Sequence, residues 1–174
     1  NFNINGNIIN GVSLAAATTK VLTAITLSVA PATLTSSISN NNFQNITRIG
    51  TGTTTFISAG GTPLNQTVSG NTFTNLSIAS TGSVTFIAHS YTVPAGGLQT
   101  ISGNSIVGSF NKTGAGGTVV CMTSGASTIA NTLTSHTNNN FSNITVTGAT
   151  ILNGIANTDG LSTIASPKVI TGNT

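Results

Sequence analysis

A four-residue phrase returns six times along this chain at a nearly constant step, and this periodicity constrains the fold more than anything else in the sequence. The phrase is a mostly β-branched residue, a small polar residue, Gly or Asn, then Asn. It reads Ile4-Asn5-Gly6-Asn7, Ile38-Ser39-Asn40-Asn41, Val68-Ser69-Gly70-Asn71, Ile101-Ser102-Gly103-Asn104, His136-Thr137-Asn138-Asn139 and Ile170-Thr171-Gly172-Asn173. Successive final Asn residues lie 34, 30, 33, 35 and 34 positions apart. A step of this size marks stacked units, each of which buries its apolar face only against its neighbours.

The pattern extends past the Asn. Two residues on stands a large apolar anchor, Ile9, Phe43, Phe73, Ile106 or Phe141, and two further on Gly or Asn again, at Gly11, Asn45, Asn75, Gly108 and Asn143. Gly and Asn tolerate a left-handed backbone better than other residues, so this second column predicts a bend in every copy. An aliphatic residue usually follows (Val12, Ile46, Leu76, Ile144), so each copy reads as strand, corner, strand. Copy four departs, with Ser109 after the corner and Phe110 one step late, and Arg48 and Ile49 look out of phase in copy two. Thirteen residues past the anchors lie Leu22, Phe56, Phe86 and Val119, a column that Gly154 breaks in the last copy. A coil of about 33 residues fits three strands and their connections. Stacked in parallel at about 4.8 Å, such coils place Asn7, Asn41, Asn71, Asn104, Asn139 and Asn173 in one structural column, bonded side chain to side chain between layers.

The repeat, the Asn column and the corner column together resemble the right-handed parallel β-helix proteins: pectate-lyase-like folds, bacterial haemagglutinin-type adhesins and phage tailspikes. The likeness is one of fold and covers nearly the whole chain. It implies an all-β solenoid of about five coils. The chain then reads as a single domain over residues 1–174, with repeats starting near 4, 38, 68, 101 and 136 and a partial sixth at 170. A β-sandwich filament subunit is the alternative, since short strands between Gly-rich turns also build sandwiches. Sandwich strands, however, do not demand matched corners at a fixed step.

Composition narrows the function. The charged residues are Lys20, Arg48, Lys112, Lys168 and Asp159. Four dispersed cations do not make the clustered footprint that nucleic acid requires. At 37% hydrophobic residues the chain has enough apolar surface to order itself. Residues 12–34 are the only helix-like stretch, but they are rich in β-branched residues and carry Lys20, so no membrane span is expected. The sequence opens at Asn1 without an initiator Met or a signal-peptide layout, which suggests a processed product or an excised segment. Cys121, the single cysteine, sits in the apolar run Val119–Met122 and reads as a buried thiol with no internal disulfide partner.

Most β-helix enzymes, as the resemblance has it, cleave polysaccharide with carboxylates, Lys or Arg on one face. Here paired-carboxylate hydrolysis lacks its second acid, and a carboxylate calcium site fails for the same reason. His89 and His136 lie in different copies, and His136 takes a strand position held elsewhere by Ile or Val, so it reads as a packed structural residue. No nucleophile elbow surrounds any Ser. The expectation is therefore no enzyme, no cofactor and no metal. Glycosylation acceptor motifs occur at Asn45, Asn65, Asn75, Asn111, Asn140 and Asn143, a number that 22 Asn and 53 Ser plus Thr produce by chance. Thr53-Thr54-Thr55 suggests an ice-binding pair, but the other copies do not keep it.

The chain opens and closes inside copies of the phrase. This suggests complementary ends and a head-to-tail homopolymer. The expected role is a structural subunit of an extracellular or cell-surface filament. The alternative is an adhesin or phage or virus fibre segment that binds glycan or a host surface through an aromatic groove, for which Tyr91 and the Phe columns are the only candidates. A single acid also leads one to expect similar melting in acid and at neutral pH.

Overall fold

A computed structural model describes residues 1–15, 19–29, 31–125, 127–128, 132–160 and 166–174. Each coil contributes one strand, or a broken pair, to each of three sides. The first coil holds β1 (Phe2–Asn5), β2 (Ile8–Asn10), β3 (Ser13–Leu14) and β4 (Leu22–Val29); the second holds β5 (Thr35–Ser39), β6 (Asn42–Gly50) and β7 (Thr54–Gly61). The third holds β8 (Asn65–Ser69), β9 (Thr72–Ser80) and β10 (Val84–Val93). The fourth holds β11 (Leu98–Ser102), β12 (Ser105–Ile106), β13 (Phe110–Lys112), β14 (Thr118–Ser124) and β15 (Ser127–Thr128). The fifth holds β16 (Leu133–Thr137), β17 (Ile144–Val146) and β18 (Ile151–Asn157), and β19 (Lys168–Thr171) opens a sixth. Sheet A runs β1-β5-β8-β11-β16-β19, sheet B β2-β6-β9-β13-β17 with β3 and β12 alongside, and sheet C β4-β7-β10-β14-β18 with β15 alongside. The strand pairings are parallel, so the chain is an all-β parallel solenoid of about five coils, not a sandwich. Within the helix-like stretch, β3 and β4 are strands.

Inward side chains repeat from layer to layer and form the core. Phe43 stacks on Phe73 with ring centroids 5.1 Å apart, Phe56 lies 5.3 Å from Phe86, and Phe73 and Phe86 meet edge-on at 5.0 Å. Rings offset or edge-on satisfy the aromatic quadrupoles while each ring removes a large apolar area from water, about 2–3 kcal/mol per side chain. The register corrects the sequence-based column. Phe56 aligns with Phe86, but their neighbours in line are Ala24 on one side and Cys121 and Gly154 on the other. Leu22 pairs with Thr54 and Val119 with Val84, two residues earlier on the same inward face. A slip of two preserves the face, which is why composition alone did not expose it. Gly154 is in line after all and simply supplies no side chain.

The bends also differ from the expectation. The left-handed position found in all six copies is the residue just before the ladder Asn: Gly6, Asn40, Gly70, Gly103, Asn138 and Gly172, with φ between 56° and 71°. The later column is left-handed only at Gly11, Asn45 and Asn75, whereas Gly108 and Asn143 are not. At Gly108 the fourth coil carries an extra residue. Ile106 pairs with Phe73 and Phe110 with Leu76, so four steps face three, and the resulting bulge splits the strand into β12 and β13.

At the corner between sheets B and C, Gly82 lies so close to the layer beneath that a Cβ there would overlap the Gly52 carbonyl. Two cations turn inward at this corner. Arg48 and Lys112 occupy a column with Leu14, Ile78 and Val146, and both are buried. Arg48 Nη1 donates to Thr53 O at 2.8 Å and Nη2 to Lys20 O; Lys112 Nζ donates to Ser80 O and Gly114 O, each at 2.7 Å. Burial pushes both groups below their usual range. The apparent phase error at Arg48–Ile49 is thus an inward cation beside an outward Ile49.

Gly82→Ala should cost several kcal/mol, because the backbone beneath must move; Gly154→Ala, with nothing near its Cβ, should be neutral or stabilise by up to about 1 kcal/mol. Denaturant midpoints of the two variants check the contrast.

Candidate functional site

Two buried arrangements carry the polar chemistry of the rod. The first is the Asn column. Nδ2 of Asn7, Asn41, Asn71, Asn104 and Asn139 donates to Oδ1 of the next Asn at 2.8–2.9 Å, ending on Asn173. The backbone N–H of each donor residue reaches that same Oδ1 at 3.0–3.1 Å. The second Nδ2 proton of Asn41, Asn71, Asn104, Asn139 and Asn173 goes back to the carbonyl of Ile4, Ile38, Val68, Ile101 and His136 in the preceding coil. Asn41, Asn71, Asn104 and Asn139 are fully buried. Only a residue with a two-proton donor and a carbonyl acceptor on a short stem fits, because Asp supplies no donor and Gln is one methylene too long. The left-handed residue just before it turns the amide inward.

The second arrangement lies in the interior where sheets A and C meet. Ser36, Gln66, Gln99, Thr134 and Lys168 share one column of sheet A, and Ala59, His89 and Ser124 one column of sheet C. Neutral His89 accepts at Nδ1 from Gln99 Nε2 at 2.6 Å, and Gln99 Nε2 lies 3.2 Å from Ser124 Oγ. Ser124 Oγ donates to Asp159 Oδ1 at 2.7 Å. The other carboxylate oxygen, Oδ2, lies 3.9 Å from His136 Nε2 and 3.8 Å from Lys168 Nζ. The chain's one acid and both of its histidines are therefore gathered under the last coils. The Asp159 and His136 side chains are fully buried, and that of Lys168 is 10% exposed.

Burial sets the electrostatics here. It pulls the His89 imidazole down to about 3, with the charge on His136 adding to the effect. His136 is lowered mainly by burial, and Lys168 lowers it further while Asp159 opposes. Lys168 itself is lowered by burial against the pull of Asp159. These directions run against the expectation of similar melting in acid and at neutral pH. The unfolded chain binds a proton at His89 below its ordinary 6.5, while the folded chain resists down to about 3. The His89 contribution to stability is therefore complete above pH 6.5 and falls as pH drops through that window, by about 1.4 kcal/mol per pH unit.

The remaining sequence candidates are dispersed. Asn45, Asn75, Asn140 and Asn143 are exposed, and Asn65 and Asn111 are half-buried. Asn45 Nδ2 donates to Asn10 Oδ1 at 2.9 Å, and Asn143 Nδ2 to Ile106 O at 3.0 Å. Cys121 is buried, its thiol pushed up to about 11. Thr54 faces inward and is buried, so the three threonines do not form one outward row. Tyr91 is buried, its hydroxyl aimed at the Pro63 and Leu64 carbonyls at 2.6 and 2.9 Å. Among the described residues no group of three or more His, Cys, Asp or Glu is placed to hold a metal ion, and no helix is long and apolar enough to cross a membrane.

No protein-family model, curated protein or solved structure matches this chain. The interior polar column was missed in the sequence, though its signal was present. Ser36, Gln66, Gln99, Thr134 and Lys168 repeat at 30, 33, 35 and 34, the same steps as the Asn residues five places on.

From His89 alone, melting at pH 4 should lie roughly 7–14 °C below melting at pH 8. His89→Gln, which keeps an acceptor for Gln99, should remove that share of the difference. Separately, Asn71→Ala should cost at least about 3 kcal/mol by stranding the buried donors of Asn41, whereas exposed Asn45→Gly should stay within about 0.5 kcal/mol. Chemical denaturation of the two Asn variants checks this pair.

Proposed function

We propose that this chain is a non-enzymatic structural subunit of an extracellular or cell-surface filament, whose copies join end to end by strand stacking. The observation that carries this reading is the polarity of the Asn ladder. Every rung donates in one direction, so one end of the rod presents the Oδ1 acceptor of Asn7 and the other the backbone N–H of Asn173. A second copy supplies the matching group at each end, and such a head-to-tail contact does not close on itself. Support also comes from the open edges of β1 and β19 and from inward-facing apolar side chains that lie exposed at the ends. Phe2 at one end, and Leu152 and Ile170 at the other, belong to core columns but are 45–53% exposed. An unpaired strand edge is a template for another strand.

Sheet A has six layers, whereas sheets B and C have five. A copy that places its β1 on β19 therefore closes over a hollow about one layer, or 4.8 Å, high. Phe141, Ile144, Leu152 and Ile155 line the hollow on the C-terminal side.

The outer face of sheet A favours the second reading, a glycan-binding fibre segment. Ser37, Thr67, Thr100 and Ser135 stand in one column, with Ser39, Ser69, Ser102 and Thr137 in the next. The aromatic groove expected of such a segment is not found among the described residues, since Tyr91 and the central Phe rings face the core.

Electron microscopy of the purified chain tests the filament. Rods many times longer than one copy, about 25 Å, are expected, and Phe2→Lys or Ile170→Lys should disperse them without unfolding the coil. Dispersed single copies of the unaltered chain would count against self-assembly and leave the end layers to be covered by further coils or another partner.

A further inference from the structure

We propose that Lys168 and Asp159 are joined by an intramolecular amide bond that clasps the last strand of sheet A to the body of the rod. The groups that an acyl transfer needs stand together around the Asp159 carboxyl. Lys168 Nζ lies 3.8 Å from Asp159 Oδ2, and the carboxyl side chain is completely shielded from water. Ser124 Oγ donates to Oδ1 at 2.7 Å, where negative charge develops when the carbonyl is attacked. His136 Nε2 lies 3.9 Å from Oδ2, the oxygen that must leave. Three different groups thus address the two oxygens in the roles that condensation needs.

The step balances. For the condensation a proton passes from the Lys168 ammonium to the Asp159 carboxylate, leaving a neutral amine and a neutral acid; burial already makes the lysine readier to give up its proton. The Nζ lone pair forms a bond to Cγ, and the carbonyl electron pair moves onto Oδ1, held by the Ser124 hydroxyl. His136, neutral in this interior, takes a proton from Nζ and returns one to Oδ2. The Cγ–Oδ2 bond breaks, the carbonyl re-forms, and one water departs. Nothing is oxidised or reduced, and no co-reactant is required.

The product removes two buried charges, whose desolvation an ion pair only partly offsets. It also closes a loop from residue 159 to residue 168 and ties down β19, an edge strand that pairs on one side only, with β16. That strand carries half-exposed Ile170 and the Asn173 end of the ladder. The cross-link is independent of whether copies polymerise.

Intact mass of the purified, denatured full chain decides the matter. The expected mass is about 18 Da below the sequence sum, one water, with a fragment-ion series linking Lys168 to Asp159. Lys168→Arg, which keeps the charge but cannot form this amide, should restore the full sequence mass. His136→Gln should leave freshly made protein largely unlinked. The full sequence mass in the unaltered chain overturns the proposal. So does a deficit that persists in Lys168→Arg, which would place the lost water elsewhere, such as ring closure of Asp159 onto the Gly160 amide.

Discussion

The interaction on which the rest of this structure depends is the stacking of one asparagine amide on the next. Each interior Asn hands two donors, Nδ2–H and its own N–H, to a single oxygen in the following layer and sends its other Nδ2 proton to a carbonyl of the preceding coil. A buried amide leaves nothing unsatisfied only when the layers sit in this register, so the ladder selects one stacking and penalises its neighbours. The steps between copies range from 30 to 35 residues, yet the rung length stays at 2.8–2.9 Å. Length variation is absorbed in the rest of each coil, while the turn that carries the ladder is held constant by a left-handed residue beside it.

A rod fixed in this way can tolerate polar and charged groups inside. Arg48 and Lys112 direct their donors to backbone carbonyls at the corner. The His89–Gln99–Ser124–Asp159 chain instead links side chain to side chain between sheets A and C and extends to His136 and Lys168. The charged residues are few, yet Arg48, Lys112 and Asp159 have buried side chains, so breaking their contacts should cost more stability than their number suggests. The outer face of sheet A, by contrast, is mostly hydroxyl.

Much of this was legible in the sequence, and the reasons are physical. The Asn column was visible because amide stacking admits one residue type, and the alternating apolar anchors because Phe43, Phe73 and Phe141 all face the core. What escaped notice were features that several residue types can fill. The inward position of sheet A accepts Phe2, Ser36, Gln66, Gln99, Thr134 and Lys168 in turn, so no residue name repeats even though the step does. The two-residue slip at Leu22 and Val119 left apolar residues on the same face and gave no contradiction. The bulge at Gly108–Ser109 was visible as an irregularity, but the split of the strand beside it emerges only when strands are paired. The meeting of Asp159 and Lys168 with His136 is made between coils, so the charges, dispersed along the sequence, showed no sign of it.

The most direct test of the central claim is hydrogen exchange of the asparagine side-chain amides, followed by NMR in deuterated solvent. The account predicts that the NH2 groups of Asn41, Asn71, Asn104 and Asn139 remain protonated for hours, opening only with the whole stack, while those of exposed Asn3 and Asn10 exchange at once. Equal, rapid exchange across both sets in the folded protein would contradict it, because amides that trade protons freely with water cannot be the fixed rungs that set the register of the coils.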